Sequence, residues 1–163
     1  MIKSITPFLW FASAKDLEEA TKFYPTVFPD AKVTHTTPGS DGLMWASFEL
    51  QGQEFYALNG GPQYKFTEAI SLFVSVETQE EVDTLWEKLT ANGGEAGNCG
   101  WLKDKFGLSW QIIPTKLSEL LGSPDQAAAG RVMQAMLKMN KLIIADLQQA
   151  HDREWIAALI PST

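Results

Sequence analysis

Laid against itself at an offset of 62, the chain repeats a helix: Glu18-Glu19-Ala20 falls on Glu80-Glu81-Val82, Phe23-Tyr24 on Leu85-Trp86, and Val27 on Leu89. Both copies place apolar residues at i, i+3, i+4 and i+7, at 20, 23, 24 and 27 and again at 82, 85, 86 and 89. That spacing gives a helix one buried face. A β-rich run precedes each copy, roughly Ile2 to Phe11 and roughly Ile70 to Val76, so the repeating unit begins strand-then-helix. Pro25 lies inside the first helix, where a proline costs about 3 kcal/mol. A kink or an early end near Tyr24 is the expectation.

The segments after each helix repeat as well. Lys32 to Thr37, Leu43 to Leu50 and Gln53 to Leu58 read as strands separated by "PGSDG" and by a "QGQ" turn at 51 to 53; Gly94 to Asn98, Gly100 to Lys105 and Leu108 to Ile113 follow the second helix. Gly52 and Gly107 fall at matching turns, where a hairpin corner needs positive φ or a close approach. Each half therefore reads βαβββ. The predicted fold is α+β, two such modules forming a curved mixed sheet around a cavity, with C-terminal helices beyond Pro114.

In that C-terminal part "TKLSELL" reads as a helix, and so does the stretch from Pro124 to about Met139, opened by Ser123 as N-cap and Pro124 in the first turn. Met133, Met136 and Met139 recur every third residue and either pack on the core or offer a surface to a partner. "KLIIADLQQA" predicts a short extended piece and a further helical turn, and "HDREWIAALIPST" an amphipathic end that docks, frays or depends on a partner.

The 163 residues, 45% of them hydrophobic, suffice for one well-filled domain. A net charge of -7 without a basic stripe argues against nucleic acid. No run approaches the ~18 apolar residues of a membrane span, and "MIKSITPFLWF" lacks a signal peptide's layout. A soluble cytoplasmic protein without a membrane partner is expected. The single Cys99 excludes an internal disulfide and a Cys-rich zinc site. It reads as an ordinary thiol in the absence of a positioned base. Glu49 and Glu54 are candidates for acid–base work but read as a solvated face, as do Lys103, Asp104 and Lys105. No Ser-His-Asp set is assembled from His35 or His151.

"ITPFLWF", "EEATKFYPTVFPDAKV", "GWLKDKFGLSWQIIP" and "RVMQAMLKMNKLIIADLQQA" together resemble the PhnB-like family, labelled 3-demethylubiquinone-9 3-methyltransferase domain, of the vicinal oxygen chelate superfamily of glyoxalases, bleomycin-resistance proteins and dioxygenases. The resemblance spans the chain through about Ala150. It implies one glyoxalase-like domain over 1–163: module 1 about 1–62, module 2 about 63–114 and a helical extension over 115–163, usually completed as a homodimer. Methyl transfer does not follow from it, since the chain has no strand-linked glycine-rich nucleotide loop.

Metal-using members of the superfamily take histidine and glutamate ligands from the first and last strands of each module. Carried over here, those positions are Thr6 and Ser71, Tyr56 and Gln111. Neutral hydroxyl and amide oxygens hold transition metals weakly, so no metal or other cofactor is expected, a divalent ion being the alternative. Strand alternation turns Thr6, Phe8 and Trp10, Tyr56 and Leu58, Ser71, Phe73 and Ser75, and Ser109, Gln111 and Ile113 to one face; Trp110 beside Gln111 is a further aromatic candidate. These side chains either fill the interior or line a site for a small aromatic or amphipathic ligand. Three functions follow: a small-molecule-binding protein with a degenerate metal site, an enzyme (divalent-metal isomerase, dioxygenase or methyltransferase), or a structural interaction dimer.

Overall fold

The computed structural model describes residues 1–157. The chain falls into two compact units that divide between Thr67 and Glu68, a few residues beyond the expected boundary. The first contains β1 (Phe8–Phe11), α1 (Ala14–Val27), β2 (Lys32–Gly39), β3 (Gly42–Leu50) and β4 (Gln53–Asn59). The second contains β5 (Leu72–Val76), α2 (Gln79–Thr90), β6 (Glu95–Ala96), β7 (Trp101–Lys103) and β8 (Ser109–Pro114), then α3 (Thr115–Leu121), α4 (Gln126–Met136) and α5 (Ile144–Ala157). The sheets have the orders β1-β4-β3-β2 and β5-β8-β7-β6. In each, the first strand lies parallel to the last and the other pairings are antiparallel. The fold is thus α+β with two βαβββ units and C-terminal helices, as the internal repeat predicts.

Each helix covers one sheet face. In the first unit Leu17, Ala20, Tyr24 and Val27 of α1 are buried, together with Leu9, Phe11, Ala46, Phe48, Leu50, Phe55 and Ala57 of the strands. Each large apolar side chain taken fully from water contributes about 1.5–3 kcal/mol. That burial explains why α1 does not stop at Tyr24. It runs through Pro25 to Val27, and the Phe28 N–H still donates to the Tyr24 carbonyl at 2.9 Å. The proline removes one N–H in the last turn, while Tyr24 and Val27 on either side of it remain anchored in the core.

Strand limits differ from expectation at the first strand of each unit. β1 begins at Phe8 rather than Ile2, after Pro7, whose ring lacks a ladder donor; β5 begins at Leu72 rather than Ile70. The turn between β3 and β4 has positive φ at both Gln51 and Gly52, 48° and 78°, as a two-residue type I′ hairpin requires. Gly107 also has positive φ, 85°. A Cβ at Gly52 or Gly107 would meet nothing within 4 Å, so backbone conformation, not close packing, accounts for both glycines.

α2 opens with a reciprocal cap: the Glu81 N–H donates to Thr78 Oγ1 at 3.2 Å, and Glu81 Oε2 accepts from the N–H groups of Thr78 and Glu77 at 2.9 and 2.8 Å. The Thr78 N–H, then that of Glu77, holds the Glu81 carboxyl below its usual value. A depressed folded-state pKa contributes stability above the unfolded-state value and loses it as pH falls through the folded one. Glu81→Gln is therefore expected to flatten the acid limb of a stability–pH curve while changing its slope little near neutrality; an unchanged acid limb would contradict the cap's role.

The C-terminal helices build their own cluster: Leu117, Leu120, Val132, Leu142 and Leu147 pack with Ile113, and Met136 and Met139 pack against it. Only Met133 of the three spaced methionines is exposed. Asp125, not Ser123, caps α4, its carboxylate accepting from the N–H groups of Ala127 and Ala128. The helix ends at Met136, short of Met139. α5 is a full helix where a short extended piece and one turn were expected. Its beginning is fixed by Gln79, which donates to the Leu142 carbonyl and accepts from the Ile144 N–H. The expected amphipathic end beyond residue 157 lies outside the described residues. Among the described residues no helix is long and apolar enough to cross a membrane.

Candidate functional site

The sheet face of the first unit turned away from α1 is assembled in rows set by strand register. One row runs Phe8, Tyr56, Ser47, His35; the next runs Trp10, Leu58, Trp45, Thr37; on the other side of the first, Glu54 lies opposite Glu49 and Glu49 opposite Lys32. Directly paired residues share a face. Phe8 and Trp45 have ring centroids 5.2 Å apart and tilted by 60°, and Trp45 and Tyr56 5.2 Å apart and tilted by 43°. Phe8 is 49% exposed, and Trp10, Trp45, Tyr56 and Leu58 are half-buried. Trp10 donates from Nε1 to the Gly61 carbonyl at 2.9 Å and meets Tyr64 edge-on at 5.1 Å. Ser47 Oγ and Thr34 Oγ1 are 2.7 Å apart, and His35 Nε2 lies 3.1 Å from Thr37 Oγ1. Thr6 is half-buried in the segment before β1. Trp45 and Tyr64 were not among the sequence candidates; the two-residue turn at Gln51-Gly52, counted outward, pairs Trp45 with Leu58 and would have found the first of them.

In the second unit the corresponding row is Phe73, Gln111, Trp101. Gln111 donates from Nε2 to Ser71 Oγ at 2.8 Å, and Phe73 is 58% exposed. Ile113, two residues on, belongs to the cluster under the C-terminal helices, so that end of the face is covered. Trp110 points the other way. It is 2% exposed and donates from Nε1 to Asp104 Oδ2 at 2.9 Å, which commits it to the α2 side of the sheet rather than to a ligand face. Asp104 is not solvated as expected: it is 2% exposed and accepts in addition from the N–H groups of Phe106 and Leu108, closing the loop before β8.

Ser109 is fully buried and its hydroxyl has no hydrogen-bond partner among the described residues. A group without accessible surface cannot meet a ligand as the strands stand, and its unpaired hydroxyl costs stability. Ser109→Ala is expected to leave unfolding free energy unchanged or to raise it by up to about 1 kcal/mol. A clear loss in denaturant unfolding would reveal a partner for the hydroxyl.

Residues 3–113 match the family model described as 3-demethylubiquinone-9 3-methyltransferase. The chain belongs to this family. A PhnB protein from Bacillus cereus, assigned to the same methyltransferase class, is 34% identical, with a TM-score of 0.62 over 69% of this chain and 100% of its own. Protein PA1353 from Pseudomonas aeruginosa (20% identity, TM-score 0.55, 69% and 98% covered) and the fosfomycin resistance protein FosX from Listeria monocytogenes (19%, 0.53, 69% and 93%) share the fold. A mutant of FosX is known in complex with Mn(II) and 1S,2S-dihydroxypropylphosphonic acid. No curated protein matches. The match to the 3-demethylubiquinone-9 3-methyltransferase family ends at residue 113; the C-terminal helices, including the 131–150 stretch that contributed to the resemblance, lie beyond it.

The carried-over positions are Thr6 and Tyr56 in the first unit and Ser71 and Gln111 in the second; hydroxyl, phenol and amide oxygens of this kind hold divalent ions weakly. Among the described residues no three His, Cys, Asp or Glu side chains are grouped as such an ion needs. Nor is there a glycine-rich strand-to-helix turn: α1 and α2 are entered through Ser13 and Thr78, whose side chains accept from the Asp16 and Glu81 N–H groups. The Glu49–Glu54 pair lies on the open face of the first unit, with Glu49 Oε1 3.1 Å from Lys32 Nζ.

The C-terminal helices do join a serine, a histidine and an aspartate. His151 Nδ1 lies 2.8 Å from Asp152 Oδ1, and His151 Nε2 lies 3.2 Å from Ser123 Oγ. Hydrogen bonds from His151, then Gln148, hold the Asp152 carboxyl below its usual range. The nearby Ala127 and Ala128 N–H groups, which could serve an oxyanion, are taken by Asp125. The series braces α5 against the start of α4, as Arg131 does by donating to the Ala150 and His151 carbonyls.

Proposed function

We propose that the chain is a small-molecule-binding protein of the vicinal oxygen chelate superfamily, working in the cytoplasm as a homodimer without a tightly held metal. The observation that carries this reading is the half-open ring cluster Phe8, Trp45 and Tyr56, with neighbouring centroids 5.2 Å apart and no two rings stacked face to face. Rings left unstacked, beside the hydroxyls of Ser47 and Thr37, suit a flat or partly apolar ligand held by stacking and a few oriented hydrogen bonds. Thr6, Trp10, Ser71, Phe73 and Gln111 are further contact candidates, Gln111 and Ser71 as a preformed hydrogen-bonded pair. The exposed apolar side chains of Ile5 and Ile70, just ahead of the first strand of each sheet, support association between copies.

A second reading, an enzyme, takes its support from the family's methyltransferase description and from Mn(II) in FosX. The neutral donor set counts against the metal-dependent form. Elemental analysis with native mass spectrometry of chelator-free protein separates the readings: a dimer carrying a small organic ligand and substoichiometric metal supports binding, whereas a stoichiometric divalent metal overturns it. Heat of binding with S-adenosylmethionine would favour methyl transfer.

A further inference from the structure

The charged row beside the rings narrows the ligand class, resting on the ligand-binding reading of the same face. Glu49 and Glu54 are directly opposed across β3 and β4. Like charges in that position destabilise an antiparallel pair. Lys32 reaches Glu49, while Glu54 is exposed and has no cationic partner among the described residues. Alternate residues on one strand lie about 6.6–6.8 Å apart along it, and neighbouring strands about 4.8 Å apart. The Glu54 carboxylate is thus one step from Tyr56 on its own strand, while Trp45 lies opposite Leu58, a further step along.

We infer that this face takes an organic cation, an alkylated or aryl-substituted ammonium, seated on Phe8, Trp45 and Tyr56 with Glu54 beside it. An aromatic ring presents negative potential from its face and attracts ammonium groups there, more strongly as water is excluded. Phe8 is 49% exposed and Trp45 and Tyr56 are half-buried, so part of each ring's surface is open to a ligand. An approaching cation also relieves the opposition of the two carboxylates. The chain's net charge of -7 raises the local concentration of cations over anions. His35, at the far end of the Tyr56 row, is directed to Thr37 and leaves the carboxylate end of the face uncontested except by Lys32.

Titrating the full-length protein with benzyltrimethylammonium, benzyl alcohol and benzoate, by calorimetry or chemical shift, tests the inference. Benzyltrimethylammonium is expected to bind about tenfold more tightly than benzyl alcohol and more tightly than benzoate, with the margin shrinking as salt is added. Glu54→Gln, at an exposed position, is expected to weaken the cation about 2–5-fold and leave benzyl alcohol unchanged. Tyr56→Leu is expected to weaken both. Equal or tighter binding of benzyl alcohol or benzoate, or a cation affinity indifferent to Glu54→Gln, overturns the cation assignment. If benzyl alcohol still binds and loses affinity in Tyr56→Leu, the ligand-binding face stands without it. If none of the three probes binds, both fall.

Discussion

Replacing Asp104 with alanine is expected to lower the unfolding free energy by about 3–5 kcal/mol. The carboxylate is 2% exposed and satisfies three donors, the Phe106 and Leu108 N–H groups through Oδ1 and the Trp110 indole through Oδ2. Removing it leaves those donors without an acceptor in a place water reaches poorly, and each unpaired buried group costs about 1–3 kcal/mol. Asp104→Asn keeps a carbonyl for the loop N–H groups but sets an amide donor against the indole N–H or forfeits the loop bonds. A smaller loss, about 1–2 kcal/mol, is expected for it. Denaturant unfolding of both variants checks the ranking, and an alanine variant within about 1 kcal/mol of wild type would show that the loop does not depend on this carboxylate.

Gly60→Ala should be nearly as costly, for a steric reason. A Cβ at residue 60 would fall inside contact distance of the Trp10 indole. That ring is held close to the point of contact by the bond from its Nε1 to the Gly61 carbonyl, and by Tyr64, so it cannot move aside without losing them. A loss of about 2–4 kcal/mol is expected, together with a changed indole environment in near-ultraviolet circular dichroism. Trp10→Ala removes the obstacle, and the added cost of Gly60→Ala in that background should fall well below its cost alone. Additive losses would mean that the glycine answers to something other than the indole.

The halves were legible because their helices carry the same apolar spacing and because Gly52 and Gly107 mark turns that need positive φ. Burial on the α1 side followed from strand alternation in the same way. Propensity failed where tertiary burial or a single missing donor decided the outcome: α1 continues past Pro25 because Tyr24 and Val27 are buried, and β1 starts after Pro7 although Ile2 and Ile5 are good strand formers. Thr78 and Glu81 have the capping-box spacing, and the structure forms that cap at the start of α2.

The site was legible only in part. Phe8, Trp10 and Tyr56 share a face as alternation requires, but Trp45 enters from a strand whose phase becomes certain only once the hairpin register is fixed. Trp110 and Gln111 are neighbours in sequence and so point to opposite faces. Only the buried Asp104 makes clear which of them is structural. Asp104 itself resembled a solvated turn residue, since nothing in a charged turn such as "KDK" marks a carboxylate that folds back on its own loop.

The central claim, that the open face of the first unit receives a small ligand on its rings, is tested most directly by following the tryptophan indole N–H signals in a two-dimensional NMR titration with an aryl ammonium or a neutral benzylic ligand. The account predicts that the Trp45 signal shifts first and saturates with the ligand, while that of Trp110, buried and bonded to Asp104, stays in place. Saturable shifts confined to other indoles, with Trp45 unmoved, would contradict it.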